Sequence, residues 1–500
     1  MIDRTLLISK SRGFLFEYKV VLLFTAVTLF AFFASGVSTI LFFNELFTRF
    51  GRNSFMVLSL LIPVVAGLGL NFGIVIGAMA AQIAVFLVVL WGGQGILGVA
   101  SAVIIATPIA ILLGYLIGRL FNNMKGSEMI GGMVTALFAD GFYQFFFLFV
   151  MGGVIAINNA QLMIPTGVGV VNAIDLDRDN NMRQALDNVS IYNILTIAIW
   201  IILILIAVFV AFSLWKKQPI KMRGRGGLLR LLIAAAALWL TYGLSFVIAP
   251  LLTFLYYDRV NGLVGVRLVA LVMLLYAAYC FIRVKLLEKQ GGSLSKAFSY
   301  LALAVIIFVI TLAPEISRGL DRVRIPVFTY SIIIGLCFFI NWFLTTRLGQ
   351  NMRTVGHDRG VATAAGIDVD KTRIIAMIMS TLLAAYGQII MLQNFGVLQV
   401  YGAHSQVGLY AIAALLVGGA TVSRASVKHA ILGVILFHSL FILAPMAGNR
   451  LMGSALIGEY FRVVVANAVI AIALIMHAWK WIANKRKAPK PGPQAKAALA

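Results

Sequence analysis

The sequence predicts an all-α, polytopic integral membrane protein, and three observations predict it. Of 500 residues, 61% are hydrophobic and only 11% are charged, at a mean hydropathy of +0.99. A soluble globule of that length has too little interior to hide so much apolar surface, so lipid must cover part of it. The apolar residues gather in runs close to the roughly 20 residues that a helix needs to cross the hydrocarbon. The 40 Lys and Arg residues lie in the short breaks between those runs, where they orient the spans. The net charge of +23 is therefore a topology signal, with attraction to membrane lipid head groups, and nucleic acid is not needed to explain it.

Taken in order, the apolar runs place spans near 20–43, 54–70, 72–91, 97–118, 129–155, 191–214, 231–254, 263–282, 297–314, 326–345, 374–394, 407–420, 429–446 and 460–479. That is about 14 transmembrane or re-entrant helices. The second and third are separated only by Asn71, and the twelfth is short and ends on glycine, as broken or re-entrant helices do. Residues 1–19 carry Arg4, Lys10, Arg12 and Lys19, and the run that follows is too long for a signal-peptide core, so it reads as an uncleaved first span. With residues 1–19 in the cytoplasm, alternation puts most of the basic residues inside. These include the cluster from Lys216 to Arg230 and Lys485, Arg486 and Lys487 in the tail, 484–500, which is expected to be disordered and cytoplasmic. One membrane domain, 20–483, results, with an external loop at 157–190 and a cytoplasmic segment at 347–373.

Little in the chain suggests catalysis. Gly291-Gly292-Ser293-Leu294-Ser295-Lys296 is the nearest approach to a phosphate-binding loop and lacks the second glycine before the lysine. His404, His438 and His477 are scattered, without a zinc or nucleophile pattern. Asp175, Asp177 and Asp179 look like the start of a calcium loop, but its glycine and closing glutamate are missing, so no metal is expected. Cys280 and Cys337 sit in apolar runs as small packing residues. No catalytic residue and no bound cofactor are expected.

The polar residues at membrane depth are Asn71, Gln82, Asp140, Gln144, Asn341 and Gln388. Asn71, Gln144, Asn341 and Gln388 are substrate-path candidates because neutral amides suit a weakly selective path, and the carboxylate Asp140 is a candidate as a polar lining of that path. For any single one of them an interhelical hydrogen bond is the favoured alternative. Asp140 is the one carboxylate well inside a confident span, and nothing cationic stands at i±3 or i±4. A single carboxylate is thin support for an ion-coupled secondary transporter, which remains the rival reading beside a non-transporting scaffold. Gly73-x-x-x-Gly77 permits close helix approach.

Segment 347–373 differs in kind: it mixes both charge signs, and its helix-compatible run, Val361 to Ala365, ends at Gly366. Gly349, Arg353, Val355, Gly356, Ala362, Ala365, Gly366 and Ile367 fall on the pattern G-x-x-x-R-A-V-G-x-x-x-x-A-A-x-x-x-G-I, with Thr354 in the alanine place and the alanine spacing slightly altered. In this the chain resembles permeases of the ribose, branched-chain amino acid and nucleoside class of ABC importers. Leu68 to Ala78 is similar to their Gly-rich early helix, and Lys125-Gly126-Ser127-Glu128-Met129-Ile130-Gly131-Gly132-Met133 is similar to a motif of the nucleoside branch. Val417-Gly418-Gly419-Ala420 with Gly433 also matches, whereas Ser423-Arg424-Ala425-Ser426 replaces a second glycine cluster.

The resemblance implies a permease core with extra helices, the extra material falling at 191–314. It implies that Arg353, Thr354, Val355, Gly356, His357, Asp358, Ala364, Ala365, Gly366 and Ile367 couple to an ATPase. It further implies as partners ABC ATPase subunits that use ATP and Mg, a second permease subunit (a copy or a paralogue) and an external substrate-binding protein. The membrane would be the bacterial inner membrane. A nucleoside or sugar is the first cargo expected, with branched-chain amino acids or riboflavin as alternatives.

Overall fold

The computed structural model describes residues 19–189, 258–285 and 294–471, apart from positions 125, 158, 160, 161, 166, 167, 178, 179, 455, 465, 466 and 469. The expected spans 191–214 and 231–254, the basic cluster 216–230 and the tail 484–500 lie outside the described residues. Two compact units divide the chain, residues 1–183 with 333–500, and 184–332.

The first unit begins with α1 (Lys19–Ser35) and, after a turn at Gly36, α2 (Thr39–Ser59), whose N-cap Ser38 accepts from the Leu41 amide. This differs from the sequence reading, which runs one span through residue 43 and breaks over 44–53. The helix continues there because its polar side chains find partners, two within the helix and one on a remote ring. Arg49 pairs with Glu45 at i−4 (3.3 Å), Asn53 Nδ2 donates to the Arg49 carbonyl (2.8 Å), and the Arg52 guanidinium lies 3.9 Å from the Phe395 ring centroid. A short α3 (Leu61–Val65), a turn carrying Gly67 and Gly69 at positive φ, and α4 (Ile74–Leu90) follow. The second expected span is thus broken, between the end of α2 and α3, whereas the third is one continuous helix, α4.

Helix α5 (Gly95–Asn123) contains Pro108, and α6 (Glu128–Phe145) runs on through a π-helical turn, Phe146–Val150, to Gly152 at φ 92°. Strand β1 (Ala173–Asp175) lies in the expected external loop.

In the second unit β2 (Arg259–Asn261) pairs antiparallel with β3 (Arg324–Pro326), Val260 opposite Ile325. Between them run α7 (Gly262–Lys285), α8 (Leu294–Ile310) and α9 (Pro314–Asp321); α7 packs on α8, with Tyr276 edge-on to Tyr300 at 5.0 Å. Helix α9 is bent 87° from α8.

Helix α10 (Val327–Phe343) leads into α11 (Arg347–His357), bent from it by 73°, then α12 (Arg359–Ala364) and α13 (Val369–Phe395). After β4 (Val397–Gln399) come α14 (Ala403–Val417) and α15 (Val427–Met452). Strand β1 pairs antiparallel with β4, Ile174 opposite Leu398, so the long loop gives a strand to the turn after α13.

The core of the first unit follows from apolar distribution. The most hydrophobic stretches of α13 and α15 are 61% and 72% buried, against 28% for α5 and 17% for α6. Helix α4, apolar all round, is buried on nearly every side, while α6 exposes Leu137, Phe138, Phe142 and Phe145 in a manner suited to lipid. Helices α2, α4 and α5 surround α13. Gly77 permits the contact with α4, since a methyl there would lie 2.6 Å from the Thr381 carbonyl oxygen. Among the described residues five helices are long and apolar enough to cross a membrane, or up to seven if each bent pair is one span.

Candidate functional site

Segment 347–373 folds as a helix pair whose limits are set by three polar caps. Thr346 Oγ1 accepts from the Gly349 amide at the start of α11, Asp358 Oδ1 accepts from the Gly360 and Val361 amides (2.7 and 3.1 Å) at the start of α12, and Asp368 Oδ1 accepts from the Lys371 amide (2.9 Å) at the start of α13. Gly366, at φ 75°, lies two residues beyond the end of α12, as expected.

The inward face of α11 is Gly349, Met352 and Val355, while Arg353 and His357 are exposed. Thr354 Oγ1 donates to the Gln350 carbonyl (3.0 Å). Gly356 meets the turn after α3 backbone to backbone: a methyl on Gly67 would lie 2.6 Å from the Gly356 Cα, and one on Gly356 would overlap the Val65 carbonyl oxygen. On α12 only Ala362 is buried, so Val361, Ala364 and Ala365 form a small exposed apolar face; Ile367 is half-buried.

A buried carboxylate ties this pair to the bundle. Glu128, at the first turn of α6, accepts on Oε1 from Arg359 Nη2 (2.6 Å) and Arg373 Nη2 (2.5 Å), and on Oε2 from the Gly126 amide (2.8 Å). Arg373 is fully buried and also donates to the Phe121 carbonyl (3.3 Å). The caps explain the convergence: Asp358 makes Arg359 the first residue of α12, and Asp368 sets Arg373 one turn into α13. One glutamate therefore joins α6, α12 and α13.

The substrate-path candidates separate. Asn71 is buried and donates to Ser380 Oγ (3.2 Å), which donates in turn to the Ser59 carbonyl (3.1 Å). Gln388 is fully buried in α13, and Asn341 is exposed beside α11. Asp140 and Gln144 come together: Gln144 Nε2 donates to Asp140 Oδ2 (3.1 Å), and Asp140 Oδ1 lies 2.6 Å from His404 Nε2 on α14. The Tyr143 ring centroid lies 4.8 Å from that of His404, tilted by 58°, and its hydroxyl is buried without a hydrogen-bond partner among the described residues.

Sequence reasoning missed Arg359, Arg373 and His404 as members of these groups. Their partners are 231, 245 and 264 residues away, so no local spacing could show them. Glu128 stood in a quoted motif with no role attached.

A multi-pass helical membrane protein, with a capped helix pair braced at one end of its bundle, has the build of a transport permease. The sequence pattern of the family described as branched-chain amino acid transport system / permease component matches residues 204–476, more than half of the chain, and the chain belongs to that family. Over 153 residues it is 29% identical to the probable ABC transporter permease protein YphD of Escherichia coli strain K12, an alignment covering 30% of this chain. The chain spans 43% of the length of that curated relative. No solved structure matches it.

Proposed function

We propose that this chain is the membrane subunit of an ATP-driven importer, in which a separate ATPase docks on α11 and α12 and a small polar solute crosses by alternating access. The observation that carries the reading is the braced helix pair. Its exposed side sets a small apolar patch at the end of α12, Val361, Ala364 and Ala365, beside the exposed Arg353 and His357 of α11, while its other side is fixed by backbone contact at Gly356 and by the charge node at Glu128. Force applied to α12 would reach α6 and α13 through bonds with little play. In this reading the pair lies in the cytoplasm, the ATP and Mg belong to the partner, and an external binding protein delivers solute to the side carrying β1 and β4. A second copy or a paralogue completes the path. Nucleosides or sugars are the cargo we favour, from the motif around Glu128; the family's own description refers to branched-chain amino acids.

Replacement of exposed Ala365 by Glu tests the docking, because that position tolerates the side chain without repacking. Co-purification of the ATPase and ATP-dependent uptake should both fall; survival of both would refute the assignment. Gly356→Glu should abolish both, with loss of local packing as well.

The Asp140–His404 pair favours a second reading, ion-coupled transport, since paired ionisable groups at membrane depth commonly serve ion movement. Uptake that a protonophore abolishes while ATP stays constant would support it over the first.

A further inference from the structure

Beside α11 the first unit holds an open cavity of about 330 Å³, distinct from the exposed face of α12, none of whose residues lines it. Its polar lining is Arg353 and His357 from α11, Asn341 from α10, and Ser423, Arg424 and Ser426 from the turn before α15. No carboxylate lines it, and the Arg353 and Arg424 side chains have no ion-pair partner among the described residues. Two guanidiniums, one from α11 and one from the turn before α15, thus line one concavity without a carboxylate. That is a good arrangement around an anion.

Further features agree. The Thr421 and Arg424 backbones bond each other reciprocally, which fixes the turn that presents Arg424. Ser426 caps α15, a helix of 26 residues whose first turn adds positive potential at the same place. The rest of the lining carries no polar side chain and is chiefly Leu61 and Val65 of α3, Ile340 and Leu344 at the end of α10, and Val427 of α15. The neighbouring Trp342 is 62% exposed at the end of that span, the position an aromatic takes at head-group level. The same residues, Ser423 to Ser426, are where the sequence departs from a glycine cluster.

We propose that this cavity binds a phosphate-bearing anion between Arg353 and Arg424, with the apolar lining receiving whatever the phosphate carries. An anion there would tie α11 to the turn before α15. The inference does not require the transport reading. Its chemistry is shared by an anionic phospholipid head group and by a soluble phosphate.

The test uses the full chain purified in neutral detergent. Native mass spectrometry after exposure to phosphatidylglycerol or phosphatidylcholine vesicles reads the lipid source, and thermal unfolding against inorganic phosphate reads the soluble one. The expected result is preferential retention of phosphatidylglycerol, or a phosphate-dependent rise in melting temperature. Arg353→Gln and Arg424→Gln should each weaken that binding about tenfold, whereas Arg318→Gln, an exposed arginine elsewhere, should not. Because both cavity arginines are exposed, the variants should melt like the wild type without ligand, which separates lost binding from lost folding. The proposal is overturned if the two lipids are retained equally and phosphate gives no shift, or if the double variant binds as the wild type does.

Discussion

Glu128→Gln is the sharpest probe of the brace between the helix pair and the bundle. The substitution keeps size and shape and removes one charge from a node in which Arg373 is fully buried and Arg359 is 36% exposed. Breaking a buried ion pair from one side costs ~3–5 kcal/mol, because the remaining charge is left uncompensated. The Arg359 contact contributes little of this, being screened by solvent. Glutamine keeps an acceptor oxygen for Arg373, which returns roughly 1 kcal/mol. The expected loss is therefore about 3 kcal/mol, nearly all of it through Arg373. Denaturant unfolding of the purified chain should show it, and Glu128→Gln should also lower ATPase-coupled uptake. Replacing both members, as in Glu128→Leu with Arg373→Leu, should recover most of the stability without restoring coupling. A Glu128→Gln variant within about 0.5 kcal/mol of the wild type, with uptake intact, would refute the brace.

Gly356→Ala places a methyl against the Val65 carbonyl oxygen and should cost about 1–3 kcal/mol by overpacking, measurable as a lowered melting temperature; an unchanged melt would contradict the backbone contact. Asp358→Ala removes both cap bonds of α12 and should cost about 1 kcal/mol, seen as faster amide exchange confined to residues 359–365, with Asp358→Asn largely restoring protection. Asp140→Leu leaves buried His404 without its partner and should destabilise by about 1–3 kcal/mol; if it instead leaves stability unchanged and alters only the apparent affinity for solute, Asp140 faces the path and not the helix.

The sequence was most informative where a property is carried by a long run. Apolar content and run length were enough for a helical membrane protein, because lipid imposes the same demand on every span. The turn at 36–38 and the continuity of α2 through Glu45, Arg49 and Arg52 were not legible. Charge in that stretch reads as a loop until the i,i+4 pair and the stacking on Phe395, a remote residue, are known. In the site, the helix stop at Gly366 was local and readable, whereas the caps Asp358 and Asp368, though equally local, were given no capping role from the sequence. The partners of Glu128 and Asp140 were not readable, because folding alone brings Arg373 to the first and His404 to the second. Asn71 illustrates the ambiguity of any single polar residue in a span: its amide could have faced a path, and it bonds Ser380.

The meeting of Gly67 with Gly356 has a mechanical corollary. Side chains at a joint act as springs, taking up small displacements by rotamer change before the backbone behind them responds. At this joint there are none. A push on α11 would arrive at the turn leading to Asn71 without backlash, and evolution would have no way to retune the joint by exchanging one side chain for another. If the chain works as proposed, variation in how related chains respond to an ATPase would have to arise elsewhere.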